Sequence, residues 1–382
     1  MLLVGCEKQE SVEIYMEDGV EVIVNHLEPY KIKGEPSQLN LEEEIVIDFE
    51  RDDLAELGIK EFRGFDVDSE GNIYFVFPYR KENQIFKFNK YGKFKTSFGR
   101  GGQGPGELQE PQSLRINELD QVIAPDYAKK ICLFEKNGDL VSETPLASGY
   151  IATTLLENGK ILIRKRIFKL EEGRTELPII LCGADFEEIK TLHAGKRMPI
   201  LSRAKKIHAL NIYFDYIWKI SKGLIFVGNY GSEYEFLVFD MEGNLMRKIR
   251  KEYIQVPVPD ILKKEILNRF ENHPMNEELK LKGKVSIPKY FRPFQFFFVD
   301  DECRLYVMSY ERGEGPNDFI YDIFAPDGVF VGRIPLDNCG YWPQSTIKIP
   351  LEAKAKNNRI YRFREKENGY RELVVYKMIW SK

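Results

Sequence analysis

The chain has 382 residues, of which 43% are hydrophobic and 30% charged, a globular composition that excludes a disordered or low-complexity chain. Its formal net charge of -4 lacks the basic surplus of a nucleic-acid binder, and no run of about 18 apolar residues marks a membrane-spanning helix. Aromatic residues reach 13%, with 26 Phe and 20 Tyr, a bias toward the half-buried surface of strands.

At the start of the chain, Leu3-Val4-Gly5-Cys6 resembles a bacterial lipobox, followed by the polar run Glu7-Lys8-Gln9-Glu10-Ser11. The resemblance implies a lipid on the Cys6 thiol and a place in the cell envelope. A working signal needs a basic region and an apolar stretch upstream of the cysteine, so residues 1–6 read as the remnant of a signal that starts earlier. Residues 7–43 are expected to be a tether and a pre-ring segment, and residues 44–382 a ring of repeats.

The repeat is clearest at Phe62–Val67, Asn72–Phe77, Gln84–Asn89 and Lys93–Phe98, four short strands joined by the turns Asp68-Ser69-Glu70-Gly71 and Lys90-Tyr91-Gly92 and one longer loop. Glycine supplies the positive φ that such turns need. The same unit returns in weaker form at 114–141, 151–192, 217–249 and 296–334. A sixth copy, through Arg359–Phe363 and Glu372–Tyr376, runs out before its fourth strand. The missing strand is expected from the other end, Glu44–Phe49, which would close the ring and leave no open edge. The predicted fold is therefore all-β: a six-bladed β-propeller with four antiparallel strands per blade. One helical insertion is predicted near 259–280, with Ile261, Leu262, Ile266, Leu267 and Phe270 as its apolar stripe.

The first unit resembles the NHL-type repeat, through Gly64–Asp68, Gly71–Tyr74, Ile85–Phe88, Gly92–Phe94 and Phe98-Gly99, with Gly102–Leu108 and Pro111 as the link between blades. The whole chain resembles the six-bladed propeller lipoproteins of Bacteroides and relatives, with Asp18-Gly19-Val20, Asn25 and Pro29 as a segment ahead of the ring. That resemblance implies a fold and an envelope location, and no single activity.

Propeller topology sends the first-to-second and third-to-fourth turns to one face, and these are short. The second-to-third loops and the links between blades share the other face, where nearly all the extra length accumulates; insertions gathered on one face mark the binding face of a repeat protein. Aromatics in or beside these long loops are the ligand-binding candidates: Tyr79, Tyr127, Tyr150, Tyr216, Tyr230, Tyr310, Tyr341 and Trp342, with Tyr213 and Trp218 close by. The alternative is that these rings pack the loops onto the blades.

The five cysteines and four histidines show no metal-type spacing, and Cys132 and Cys182 read as small buried apolar residues. Gly99–Gly106 lacks the terminal Gly-Lys-Ser/Thr of a phosphate loop and reads as a tight crossing, with Glu107 accepting backbone N–H bonds. Asp126 and Asp215, with Asp318, are the carboxylates near the ring mouth that could hold calcium, as lactonase-like propellers do. Three functions follow from these readings. The first is a non-catalytic envelope protein holding a glycan, peptide or protein partner. The second is a metal-dependent hydrolase or lyase, and the third an assembly scaffold.

Overall fold

The computed structural model describes residues 12–30, 38–57, 64–77, 82–111, 113–126, 130–146, 150–200, 207–208, 218–229, 233–272, 284–315, 318–337, 353–366, 368 and 370–381. Six antiparallel sheets follow one another along the chain as the blades of a propeller. Blade 1 is Gly64–Val67, Ile73–Val76, Asn83–Phe88 and Phe94–Arg100. Blade 2 is Arg115–Ile116, Val122–Asp126, Lys130–Phe134 and Leu140–Pro145. Blade 3 is Tyr150–Leu155, Ile161–Lys165, Arg174–Cys182 and Glu188–Pro199, with Ile167–Lys169 paired alongside. Blade 4 is Trp218–Ser221, Leu224–Asn229, Glu235–Asp240 and Leu245–Lys251. Blade 5 is Phe296–Val299, Leu305–Arg312, Asp318–Phe324 and Phe330–Asp337. Blade 6 is Lys354–Lys356, Arg359–Glu365 and Arg371–Ser381.

Three strands precede blade 1: β1 (Glu13–Glu17), β2 (Val20–Asn25) and β3 (Gln38–Asp48). β3 pairs antiparallel with Arg371–Ser381 and is the fourth strand of blade 6, the closure expected from the sequence, although it begins ahead of Glu44. β1 and β2 form a hairpin whose second strand runs parallel to Leu245–Lys251, so that blade 4 grows to six strands. Of the helices, α1 (Asp52–Ala55) is one turn, and α2 (Asp260–Glu271) is the predicted insertion. Ile266 and Phe270 of its stripe are buried, while Ile261 is 74% exposed.

Among the described residues, hydrophobic burial forms a slab between each pair of neighbouring blades. The period of two along a strand explains this. In blade 1, Ile73 and Phe75 pack toward blade 6 while Tyr74 and Val76 pack toward blade 2. In blade 5, Phe296 and Phe298 face blade 6 and Phe297 faces blade 4. A blade flanked on both sides has no solvent face at its centre, which is why these strands read as unbroken apolar runs.

Apart from the two-residue turns Lys222-Gly223 and Asn357-Asn358, which hold positive φ at both positions, the described short turns of the blades share one geometry. The fourth residue of each, at positive φ, donates its N–H to the carbonyl of the first: Gly71 to Asp68, Gly92 to Asn89, Gly138 to Glu135, Gly159 to Leu156, Gly243 to Asp240 and Gly328 to Ala325. Asp120, Phe186 and Cys303 hold the same position in three further turns without being glycine, at φ of 60°, 64° and 66°. The leading side chain often caps the turn. Asp68 accepts from Glu70 N, Asn72 N, Asn72 Nδ2 and Tyr74 Oη, and Asp300 does the same for Glu302 N, Arg304 N, Arg304 Nη1 and Tyr306 Oη. Burial pushes the Asp300 carboxyl upward against these bonds, and lifts the Tyr306 hydroxyl well above its ordinary value.

Candidate ligand channel

The first strand of each blade ends its sheet, so six strand edges converge on the ring axis. Between them lies a cavity of 680 Å³ lined by residues from all six first strands. First strands run from the long-loop face to the short-turn face, and this direction gives the cavity two different ends. Tyr150, Trp218 and Leu146 line the long-loop end. Asn117, Asp120, Lys222, Asp301 and Asn357 line the short-turn end.

The short-turn end is tied by an unbroken circle of hydrogen bonds. Ser69 of blade 1 donates through N and Oγ to Asp120 of blade 2, at 2.8 and 2.5 Å. Arg115 of blade 2 donates to Leu155 O (3.0 Å) and to Glu157 of blade 3. Asn158 of blade 3 donates to Met241 O of blade 4 (3.1 Å), and Ser221 of blade 4 to Asp300 O of blade 5 (2.8 Å). In blade 6, Asn357 N donates to Asp301 of blade 5 (2.8 Å) and Asn357 Nδ2 to Asp68 O of blade 1 (3.0 Å). Glu118 accepts from Gly223 N at 3.1 Å, which links blade 2 to blade 4. These bonds fix the spacing of the six first strands and so preorganise the cavity.

Deeper in, Asp66 accepts from Ile116 N (2.8 Å) and lies 3.7 Å from Lys354 Nζ. Lys219 sits over the Phe296 ring at 5.3 Å. Tyr150 stacks on Phe186 with ring centroids 5.4 Å apart, and burial raises its hydroxyl above the ordinary value, so it stays protonated. Thr154 borders the cavity but is only 6% exposed, and its Oγ1 is buried with no hydrogen-bond partner among the described residues.

Of the aromatic candidates read from sequence, Tyr150 lines the cavity and Trp218 joins it. Tyr310 stacks on Phe291 at 4.1 Å, a packing contact whose burial lifts its hydroxyl. Tyr79, Tyr127, Tyr216, Tyr230, Tyr341 and Trp342 lie outside the described residues, as do Cys6, Tyr213 and Asp215. Asp126 is buried and accepts from Gln109 N and Glu110 N, both at 2.7 Å, which pins the link between blades 1 and 2. Asp318 caps the loop before its strand by accepting from Gly315 N. Glu107 accepts from Gly104 N at 2.9 Å, as expected of the glycine-rich crossing. Cys132 and Cys182 are buried, with thiols pushed up by burial to about 12 and about 11. Among the described residues no three His, Cys, Asp or Glu side chains are grouped to hold a metal ion.

Arg115, Thr154, Lys219 and Lys354 went unnoticed in the sequence. One signal could have found them: once the repeat is phased, the first strand of every blade faces the axis, whatever its residue types.

A family model described as a 6-bladed beta-propeller, DUF5128, matches residues 66–208. Among solved structures, the chain is similar to a candidate exported protein of Bacteroides fragilis, with a TM-score of 0.53 and 13% identity, over 94% of this chain and 100% of that one. Weaker likenesses are to a Bacteroides caccae protein of unknown function (TM-score 0.36, 11% identity, 72% of this chain and 86% of that one) and to BamB of Moraxella catarrhalis (TM-score 0.31, 12% identity, 83% of each). No curated protein matches. The chain is a six-bladed β-propeller, and the similarity to the Bacteroides fragilis structure shows that fold alone.

Proposed function

We propose that this propeller is a non-catalytic binding protein of the bacterial cell envelope, which receives a glycan, peptide or protein partner from its long-loop face into the mouth of the axial channel. The observation that carries the reading is the asymmetry of the channel. The short-turn end is laced by inter-blade hydrogen bonds, while the long-loop end offers the Tyr150 and Trp218 rings. Half-buried rings beside a preformed concave site supply contact area at low entropic cost. Of the lining carboxylates, Asp66, Glu118, Asp120 and Asp301 are engaged by a neighbouring blade and Asp300 by its own turn, which favours binding over acid–base chemistry.

The envelope location is supported by the lipobox-like Leu3-Val4-Gly5-Cys6 and by the likeness to a candidate exported protein across nearly the whole of both chains. A thermal-shift screen of the chain from Glu7 onward, against neutral and acidic glycans, peptides, calcium and a chelator, tests the reading. A ligand that binds only the folded state raises the midpoint by mass action. A rise with a glycan or peptide that disappears in Trp218→Ala supports it. A fall with chelator that calcium reverses would turn the reading toward a metal-dependent enzyme.

A further inference from the structure

We infer that His193 is a proton-sensitive latch on a flap of blade 3 at the long-loop face, an inference that stands apart from the binding role proposed above. The flap is the part of blade 3 that runs on past the ring. The second strand, Ile161–Lys165, pairs with the third only as far as Ile179. Beyond that point, residues 174–177 pair with Ile167–Lys169 on one side and with residues 196–199 on the other. This three-stranded extension carries Phe168, 59% exposed, and springs from the sheet whose Tyr150, opposite Lys165, lines the channel.

His193 sits where ring gives way to flap. It is paired with Ile179, the next pair along is Leu177 with Lys196, and the strand bulges between them. Gly195 lies in the bulge at φ +69°, where an added Cβ would stand 1.7 Å from Leu177 O, so only glycine fits. Gly195 N donates to His193 Nδ1 at 2.9 Å, which holds the bulge. An imidazole that accepts at Nδ1 is neutral, with its proton on Nε2. The His193 side chain also bonds Asn229 of blade 4. Asn229 Nδ2 donates to Glu235 at 2.8 Å, Arg250 Nε donates to Glu235 at 2.7 Å, and Arg250 Nη2 donates to Glu17 of the hairpin at 3.1 Å. One chain of hydrogen bonds therefore runs from the flap hinge across blade 4 to the β1–β2 hairpin.

Protonation turns Nδ1 from an acceptor into a donor, which then faces a second donor in the Gly195 N–H. The bulge loses its clamp and the flap loosens. Among the described residues, Asn229 and Glu235 face the imidazole from blade 4, with Arg250 holding Glu235, and the uncharged Ile179 lies opposite on its own sheet. Burial holds the imidazole below its ordinary value, against the opposing pull of the Asn229 bond and the Glu235 charge. A group lowered in this way takes its proton more readily once the flap opens. The latch is complete above the ordinary histidine value of about 6.5, and weakens as pH falls below it toward the folded value.

The test is hydrogen exchange of the full chain at pH 7.5 and 5.5, corrected for intrinsic rates and read by mass spectrometry over residues 174–177 and 195–199. The opening constant of the flap is expected to rise by up to about tenfold at the lower pH, while Ile73–Val76 of blade 1 holds its protection. In His193→Gln, which keeps an acceptor and cannot titrate, the rise is expected to vanish. Equal flap protection at both pH values in the natural protein overturns the inference, and so does the same rise in the variant. A matching rise in Ile73–Val76 would mark a loosening of the whole ring and overturn it too. If the variant does not fold, the His193 imidazole of the natural protein is titrated by NMR. A midpoint below the ordinary value supports the latch, and a midpoint at or above it overturns the latch.

Discussion

β3 and the β1–β2 hairpin both precede the first blade, and both add strands to a distant sheet, but they join the ring in different ways. β3 supplies a strand that blade 6 lacks. Its Leu39 enters the slab between blades 5 and 6, and its fully buried Ile47 enters the slab between blades 6 and 1. The hairpin adds to a blade that already has four strands, pairs in parallel, and leaves β1 as an outer edge with Ile14 60% and Met16 66% exposed. Its grip comes from Ile23, which closes with Ile249 over Gly328, and from buried Asn25. Asn25 donates to Arg250 O and Gly328 O and accepts from Phe330 N, so it staples blade 4 to blade 5. Completing a sheet and clamping a finished one are different structural tasks. The first should be essential to cooperative folding and the second an increment.

The hardest blow to the closure is a charge at Ile47. Ile47→Asp is expected to abolish the cooperative urea transition, since it buries an unpaired carboxylate in the slab that shuts the ring. The milder Ile47→Ala should cost about 2–5 kcal/mol by the same measurement. Asn25→Ala should cost less, about 1–3 kcal/mol, because it strands buried backbone groups on two blades, and the single transition should survive. Equal losses in the two alanine variants would make the hairpin part of the closure and erase the distinction.

A paired glycine experiment sharpens the comparison. Gly19 turns the hairpin at φ +80° with nothing within 4 Å of an added Cβ, so Gly19→Ala should cost about 1 kcal/mol from backbone conformation alone. Gly92, at φ +74°, would place a Cβ 2.5 Å from Ile47 Cγ1, so Gly92→Ala should destabilise clearly more in parallel thermal melts. The smallest expected effect is electrostatic. Hydrogen bonds from Lys248 and then Arg250 hold the Glu17 carboxyl below its ordinary value. A carboxyl lowered in the folded state stabilises above the unfolded value and loses that contribution as pH falls through the folded one. The melting difference between the natural protein and Glu17→Gln should therefore shrink as pH drops from 7 toward 3, and a constant difference would show that the carboxylate contributes through packing.

Much of the ring was legible because its code is local. Alternation and glycine turns recur along the ring: positive φ at Gly71 and Gly92 matches the turns read from the first unit, and Gly138, Gly159, Gly243 and Gly328 repeat it in later blades. The reading weakened where Asp120, Phe186 and Cys303 adopt the same φ without glycine, since nothing in their side chains announces it. The candidate site was less legible. Tyr150 and Trp218 were visible as aromatics, but Thr154 is an ordinary strand residue until its hydroxyl is found without a partner. Asp126 looked like a free carboxylate by the ring mouth, and sequence spacing gave no sign of the two backbone N–H groups that occupy it.

By itself, then, the sequence determined most of the blade strands, their glycine turns, the number of blades and the origin of the closing strand, because each rests on short-range periodicity and backbone conformation. Tertiary structure alone decided that the hairpin joins blade 4 and which side chains meet at the axis. Those choices depend on contacts between residues far apart in the chain, such as Asn25 with Phe330 and Asn357 with Asp68, which exist only once the ring has closed.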